Sequence, residues 1–164
     1  MKGGKFISAG SYGCVYGNKP LKCGNSRPDN KYVVKAMVSD REANKELAEG
    51  KLIKKIDPKS EFTIYPIKKC KISTIDSKED NCLNDCEITG IKKKVRGCKL
   101  KSKITGLIMN NGGPDLYIKN ITSFSKKLYN THPNDLIKPM YRVIKGLQEI
   151  NKSHLHLDIK WGNM

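Results

Sequence analysis

The stretch "KFISAGSYGCVYG" occupies residues 5–17, near the start of the sequence. Its β-forming residues lie on both sides of Gly10 and Gly13, and this pattern predicts a strand, a glycine-bearing turn and a second strand. Small residues at the tip let a backbone approach a bulky anion, and glycines allow turns whose N–H groups face phosphate oxygens. Most glycine turns are only turns, so the predicted hairpin does not establish a phosphate site by itself.

The next segments continue the sheet and add a helix. "KYVVKAMV", residues 31–38, predicts a third strand with Lys35 in its middle. A lysine there is costly to bury unless an anion accompanies it, although alternation along the strand allows it to face water instead. A helix is predicted from near Asp40, and it carries two carboxylates as candidate partners for Lys35. We choose Glu49, and Glu46, one helical turn earlier, is the alternative.

The rest of the chain changes from strands to helices. "FTIYPIKKCKI", residues 62–72, and "TGLIMNN", residues 105–111, predict two more strands, and between them we place an insertion or long loop of about residues 73–103. Helical spacing of apolar residues follows at 115–129 and at 133–153. Strands followed by helices predict an α+β fold, sheet-rich at first and helical afterwards.

The charge and hydropathy of the chain limit its partners. Thirty-two Lys and Arg against sixteen Asp and Glu give a net charge of +16, which favours polyanions. The basic residues are mostly lysines scattered along the chain, so we do not expect specific nucleic-acid recognition. No apolar run approaches the roughly 18 to 20 residues that span a bilayer, and the first residues lack the apolar core of a signal peptide. We therefore expect no membrane span and an intracellular, cytoplasmic protein.

The six cysteines are expected to be unligated thiols, because free thiols are the usual state in a reducing compartment. A zinc site is the alternative. Cys82 and Cys86, flanked by Cys70 and Cys98, are the one constellation with metal-ligand character, but no C-x2-C pair is present.

The terminal stretch "HLHLDIKWGNM", residues 154–164, carries the residues of a reaction centre. Asp158 is suited to accept a proton from a hydroxyl, Lys160 to neutralise a phosphoryl group, and Asn163 to hold a hard cation through its carbonyl oxygen. Two other interpretations stay open: His154, His156 and Asp158 as a metal triad, or a plain polar loop after a helix.

In chain order these pieces resemble a protein kinase. "ISAGSYGCVY" resembles the glycine-rich loop, "VVKAM" the strand that bears the ATP lysine, and "EGKLIKKI" the regulatory helix. "LIMNNGGPDL" resembles the hinge, and "HLDIKWGN" the catalytic loop H-R-D-[LI]-K-x-x-N. The resemblance implies an antiparallel-sheet small lobe with one helix, residues 1–111, and the first helices of an incomplete helical large lobe, residues 112–164.

The family's roles carry over to matching positions, with ATP and Mg²⁺ as cofactors. Lys35 would bind the α and β phosphates and pair with Glu49, and Met109 would stand at the back of the adenine pocket, with Asn111 in the hinge. Asp158 would be the base, Lys160 would mark the Ser/Thr class, and Asn163 would ligate Mg²⁺. The loop over the nucleotide would comprise Ile7, Ser8, Ala9, Gly10, Ser11, Tyr12, Gly13, Cys14 and Val15.

The resemblance predicts a serine/threonine protein kinase whose partner is a protein with a Ser or Thr hydroxyl. The chain departs from the pattern in Ser8, which replaces the first glycine, and in Leu157, where arginine is usual. The D-F-G aspartate, a further Mg²⁺ ligand, belongs after Met164 in the family. We therefore expect the 164 residues alone to be inactive, and a partner to cover the large lobe. The alternatives are an inactive nucleotide- or protein-binding remnant and a basic nucleic-acid-binding protein.

Overall fold

A computed structural model of the chain describes residues 5–18, 20–72, 75, 83–96, 99–112 and 133–152. In chain order the elements are β1 (Lys5–Gly10), β2 (Gly13–Gly17), β3 (Tyr32–Met37), α1 (Asp40–Ile56), β4 (Pro66–Ile72), α2 (Thr89–Lys92), β5 (Val95–Arg96), β6 (Lys99–Leu100), β7 (Ile104–Asn110) and α3 (Pro133–Asn151). An antiparallel sheet has the strand order β1-β2-β3-β7-β4, and β5 pairs with β6 as a separate hairpin. The predicted α+β class is confirmed for the described residues.

The first two strands form the predicted hairpin. Gly10 pairs with Gly13 across the ladder, so Ser11 and Tyr12 make the turn. The residue after β3 holds the tip in place: the backbone N–H of Val38 donates a hydrogen bond to the carbonyl of Tyr12 at 2.9 Å. The end of β3 therefore fixes the position of the glycine-bearing turn.

The first helix begins at Asp40, where the sequence predicts its start. The hydroxyl of Ser39 accepts a hydrogen bond from the N–H of Glu42 at 3.2 Å, as an N-cap side chain does. Acidic residues lie in its first turn and lysines in its last, which suits the helix dipole. The helix ends at Ile56, ahead of Pro58, as the sequence predicts.

One face of the sheet packs against α1. Successive side chains of a strand point to opposite faces, and Met37 and Leu107 point to this one. They form a buried cluster with Ala43 of the helix, and Leu47 packs against it. Gly50 keeps the helix close to β4, since a Cβ placed on it would lie 2.9 Å from Pro66 Cδ.

The opposite face is covered by the segment that the sequence predicted to be an insertion or long loop. Leu83 and Ile91 of this segment are buried in one cluster with Tyr16 of β2. Val95 of β5 and Leu100 of β6 pack against the same cluster. The segment contains α2 and the β5–β6 hairpin and forms part of the core, so the loop prediction is wrong for its described residues.

The expectation of unligated thiols is wrong for four cysteines. Disulfides join Cys14 to Cys86 and Cys23 to Cys70, across 72 and 47 residues of sequence. Such separations carry no pairing signal, because it is the strand register that places Cys14 and Cys70 on the sheet face opposite α1. No described cysteine is a free thiol.

The zinc alternative loses two of its four ligands to these disulfides. Cys70 and Cys86 are bonded to other cysteines, while Cys82 and Cys98 lie outside the described residues. Among the residues described, no group of three or more His, Cys, Asp or Glu side chains could hold a metal ion.

The chain divides into two compact units. The first comprises Met1–Leu52 and Ile64–Asn111, and the second comprises Ile53–Thr63 and Gly112–Met164. The division after Asn111 coincides with the predicted boundary between the small and large lobes, but residues 53–63, which follow α1, belong to the second unit. The assignment of the two units to kinase lobes stays a prediction.

The second unit contains α3, which confirms the helix predicted at 133–153. Within this unit Phe62 lies directly over Gly146 of α3: a Cβ placed on that glycine would be 2.1 Å from Phe62 Cδ2. Ile137, Tyr141 and Ile144 are more than half exposed along one side of the helix. The helix predicted at 115–129 lies outside the described residues.

No helix in the described part of the chain is both long enough and apolar enough to cross a membrane.

A buried carboxylate organises the turn after α1. Asp57 is 2% exposed and accepts hydrogen bonds from the N–H groups of Glu61, Phe62 and Thr63 at 2.8 to 3.0 Å, and from the Thr63 hydroxyl at 2.8 Å. Burial raises the pKa of Asp57, but these hydrogen bonds outweigh it and hold the pKa below its ordinary value.

We predict that Asp57→Asn lowers the free energy of unfolding by about 2 to 3 kcal/mol, because an amide presents a donor to backbone donors that lose their acceptor. Urea denaturation measures the change. Asp29→Asn is the control: this aspartate is exposed, 3.7 Å from Lys31, and its substitution should cost less than about 0.5 kcal/mol.

The same carboxylate predicts acid sensitivity. Because its folded pKa is lowered, the stability that Asp57 contributes is present above its unfolded pKa, about 4, and is lost as the pH falls through the lower folded value. Between pH 5 and 2 the wild-type protein should therefore lose more stability than Asp57→Asn. Equal losses would contradict this role.

Candidate functional site

The candidate site is built around an ion pair between a strand and a helix. Lys35 lies in the middle of β3, and its Nζ is 2.5 Å from Glu46 Oε1 on α1. The two side chains are only 18% and 23% exposed. Removing two charges from most of their water is costly, and their attraction offsets that cost only while both are present. Lys35 therefore faces the helix and not open solvent.

The structure corrects the predicted partner of this lysine. We expected Glu49, but Glu49 is exposed, and Glu46 makes the contact. The error is one of helical phase. Ala43, Glu46 and Gly50 lie on the side of α1 that meets the sheet, while Glu49 lies off that side.

A signal for Glu46 was present in the sequence. Ala43, Glu46, Leu47 and Gly50 are spaced at i, i+3, i+4 and i+7, the spacing of one helix face. Small and apolar residues at three of these positions predict the buried face, so the glutamate among them is the sheltered one. The separation in sequence from Lys35 does not distinguish Glu46 from Glu49, whereas this spacing does.

A polar anchor at the start of α1 fixes that phase. Asp40 accepts hydrogen bonds from Lys69 Nζ at 3.2 Å and from the hydroxyl of Thr105 at 3.1 Å. Lys69 also donates to Asn44 Oδ1 at 2.7 Å. The hydrogen bond from Lys69, supported by that from Thr105, holds the pKa of Asp40 below its usual value. Two neighbouring strands thus hold the first turn of the helix that delivers Glu46.

The lysine stem runs beneath the hairpin. A Cβ placed on Gly13 would lie 3.1 Å from both Cγ and Cε of Lys35, and 2.5 Å from the carbonyl oxygen of Ala36. No real Cβ sits that close to a backbone oxygen. Glycine at 13 is therefore required by the close approach of β2 to β3 at the lysine.

The other glycine of the turn has no such role. A Cβ placed on Gly10 meets no atom within 4 Å in the described part of the chain. Gly10 also does not adopt the positive φ that favours glycine, whereas Gly24 does, at 66°. Among the described residues, neither packing nor backbone conformation requires glycine at position 10, and the space beside it is open.

An apolar surface lies on the same sheet face as Lys35. Val15 pairs with Lys35, and Val33 pairs with Met109, so these four residues point the same way. Ile7 joins them: a Cβ on Gly17 would be 2.6 Å from Ile7 Cδ1 and 3.1 Å from Val33 Cγ1.

Three of the predicted adenine-pocket and loop residues are therefore brought together with Lys35. They are Ile7, Val15 and Met109. Val33 was not predicted, and strand alternation from Lys35 was the signal that could have found it. Ile7 is 49% exposed, so part of this surface is open.

The remaining loop residues line the hairpin. Ser8 pairs with Val15 and Ala9 with Cys14, and Ser8, Ala9, Ser11 and Tyr12 are exposed. Cys14 points to the other sheet face, where it is fully buried in its disulfide. Only the backbone of Cys14 is therefore on the side of the hairpin that faces Lys35, and its place in the loop over a nucleotide stays a prediction.

The predicted hinge residue is tied to the loop before β3. The backbone N–H of Asn111 donates to the carbonyl of Lys31 at 2.9 Å, and its side-chain amide donates to the carbonyl of Asn30 at 3.2 Å. Asn111 itself is exposed, at the end of the strand that carries Met109.

The predicted reaction residues Asp158, Lys160 and Asn163, with His154 and His156, lie outside the described residues. Their roles stay predictions.

No protein-family model, curated protein or solved structure matches the chain. The resemblance to protein kinases therefore rests on motifs of this sequence.

We predict that the two glycines of the turn differ in their effect on stability. Gly13→Ala should lower the free energy of unfolding by about 1 to 3 kcal/mol, since its Cβ collides with a backbone oxygen. Gly10→Ala should change it by less than about 0.5 kcal/mol. Urea denaturation of both variants is the measurement, and a Gly10→Ala loss as large as that of Gly13→Ala would contradict the open space at Gly10.

Proposed function

We propose that this chain binds ATP with Mg²⁺ and acts as a protein kinase of the Ser/Thr class, transferring the γ-phosphoryl group to a hydroxyl of a protein substrate. The observation that carries the proposal is the sheltered Lys35–Glu46 pair beneath Gly13. A structural ion pair alone would not need the open space beside Gly10 at the hairpin tip.

The lysine has the chemistry for phosphate oxygens. An ammonium group carries three donors, and the Glu46 contact uses one, so Lys35 retains donors for an anion. Glu46 fixes the position of the amine, which would reduce the conformational freedom lost when phosphate binds. The open space beside Gly10 fits a phosphate that approaches the backbone closely.

The apolar residues beside Lys35 fit a purine base. Ile7, Val15, Val33 and Met109 share the face of the lysine, so a ligand with an apolar flat part and an anionic tail matches the surface. Mostly apolar lining with a few placed polar groups is typical of small-molecule sites.

Phosphoryl transfer would need residues beyond this surface. By the resemblance, Asp158 would accept the proton of the substrate hydroxyl, Lys160 would neutralise the transferring group, and Asn163 would be a Mg²⁺ ligand. A bound metal ion supplies charge neutralisation at the phosphates. Binding without transfer, the inactive alternative, uses the same Lys35 site and is separated from catalysis by assaying both.

The predicted intracellular, cytoplasmic location is kept as part of the proposal because ATP is the cofactor. Two disulfides, Cys14–Cys86 and Cys23–Cys70, are more typical of oxidising compartments, and in a reducing one such bonds are usually transient and catalytic or redox-sensing.

We predict that Lys35→Ala lowers Mg-ATP affinity about 10- to 100-fold, which corresponds to losing a charge-assisted hydrogen bond. Glu46→Gln should lower it about fivefold, because the amine loses its charged partner. Isothermal titration calorimetry at two salt concentrations measures the affinities and separates site binding from general attraction to a basic protein.

Glu49→Gln is the matched control on the same helix. It removes the same charge from an exposed position and should leave the affinity within twofold of wild type. Equal effects of Glu46→Gln and Glu49→Gln would contradict the assigned pair, and wild-type affinity in Lys35→Ala would contradict the site.

A further inference from the structure

A disulfide is attached to the strand that carries the glycine turn. Cys14 lies between Gly13 and Val15, and it is bonded to Cys86, 72 residues further along the chain. Both cysteines are fully buried. The two faces of β2 therefore contact different parts of the protein. Val15 lies on the face of Lys35, and Cys14 lies on the opposite face, bonded to the covering segment.

The described residues of the covering segment meet β2 through the buried cluster that contains Cys14 and Tyr16. The segment's own regular structure is short, with four residues in α2 and two in each strand of the β5–β6 hairpin. It contacts the sheet through buried side chains such as Leu83 and Ile91. A covalent bond across 72 residues restricts the open chain strongly, because closing a long loop costs more entropy than closing a short one.

We propose that the Cys14–Cys86 disulfide is a redox-dependent tether that holds β2, and with it the glycine turn over Lys35, in the arrangement that binds nucleotide. This inference rests on the proposed function, whose Lys35 site it regulates. With the bond formed the site is competent, and with the bond reduced the turn is released and affinity falls.

The chemical step is a thiol–disulfide exchange with a dithiol reductant. A thiolate of the reductant attacks one sulfur of the pair, the Cys14–Cys86 bond breaks, and a mixed disulfide forms. The second thiol of the reductant then releases the protein. Two electrons and two protons pass to the protein, which leaves with two thiols, while the dithiol becomes a cyclic disulfide.

Coupling to the site follows from the register of β2. Cys14 pairs with Ala36 and Val15 with Lys35, so movement of β2 at Cys14 also moves the residues over the lysine. Gly13 lies against the lysine stem and the Ala36 carbonyl with no spare room, so a shift of β2 changes the space in which Lys35 meets Glu46.

Thermodynamic linkage makes the coupling between the disulfide and the nucleotide reciprocal. A reductant reaches Cys14 and Cys86 only when the covering segment opens locally. If the bond raises nucleotide affinity by some factor, bound nucleotide must favour the bonded form by the same factor. Mg-ATP should therefore protect this disulfide from reduction.

The second disulfide is the natural comparison. Cys23 and Cys70 are only partly buried, and they join the connection before β3 to β4, the edge strand at the far side of the sheet from β1. Neither cysteine neighbours the glycine turn or Lys35 in sequence or pairs with them in the sheet. Breaking this bond removes a crosslink without releasing β2.

The experiment compares wild type, Cys86→Ala and Cys23→Ala, each purified without reductant and with its disulfides mapped by mass spectrometry. Cys86→Ala breaks the tether and leaves β2 unchanged in sequence. We expect Cys86→Ala to bind Mg-ATP at least about fivefold more weakly than wild type, and Cys23→Ala to bind within twofold. In wild type equilibrated with reduced and oxidised dithiothreitol, Mg-ATP should lower the ratio of reduced to disulfide-bonded Cys14, read by alkylation, by about the same factor, and leave the ratio for Cys23 unchanged.

A folded Cys86→Ala protein with wild-type affinity would overturn the proposal. If that variant does not fold, the dithiothreitol experiment on wild type decides: no protection of Cys14 by Mg-ATP would overturn the proposal, and protection would support it.

Failure of the proposed function gives a different pattern. Oxidised wild type would then not bind Mg-ATP at all, and hydrogen exchange would test the tether by itself. Backbone amides of β2 should exchange faster in Cys86→Ala than in wild type or Cys23→Ala, and unchanged exchange would contradict the tether.

Discussion

Lys35 lies on the sheet face that packs against α1, and a lysine sheltered there needs a carboxylate beside it. Glu46 meets that need from α1, and the surrounding structure is arranged to bring the two together. Asp40, Lys69 and Thr105 fix the first turn of the helix, and Gly50 keeps its later part against β4. With the helix so placed, Gly13 must lack a side chain, because the lysine stem occupies the space below it.

A second constraint acts from the other side of the sheet. A single antiparallel sheet with one helix leaves a face to be covered, and the segment after β4 covers it with Leu83, Cys86 and Ile91. The Cys14–Cys86 bond joins this cover to the strand that bears the glycine turn. The site therefore lies on a strand held from two directions, by Lys35 and its neighbours in front and by a disulfide behind.

Local sequence patterns predicted the elements of the fold well, because turn chemistry, β-branched runs and helix caps act over a few residues. The hairpin, β3, α1 and α3 all follow from such signals. The disulfide partners and the cover behind the sheet depend on contacts far apart in sequence, and no local pattern encodes them. The choice of Glu49 over Glu46 failed for a smaller reason: one turn of helix separates them, and only the spacing of Ala43, Leu47 and Gly50 distinguishes the buried face.

Nucleotide binding by the Lys35 surface under the glycine turn can be followed residue by residue, by titrating ¹⁵N-labelled protein with Mg-ATP and recording the backbone amide resonances. Shifts should be concentrated at residues 7–15, 33–35 and 109–111, with the Glu46 amide also affected. Shifts confined to the lysine-rich segment 91–103, or no saturable shifts at all, would contradict binding at this surface.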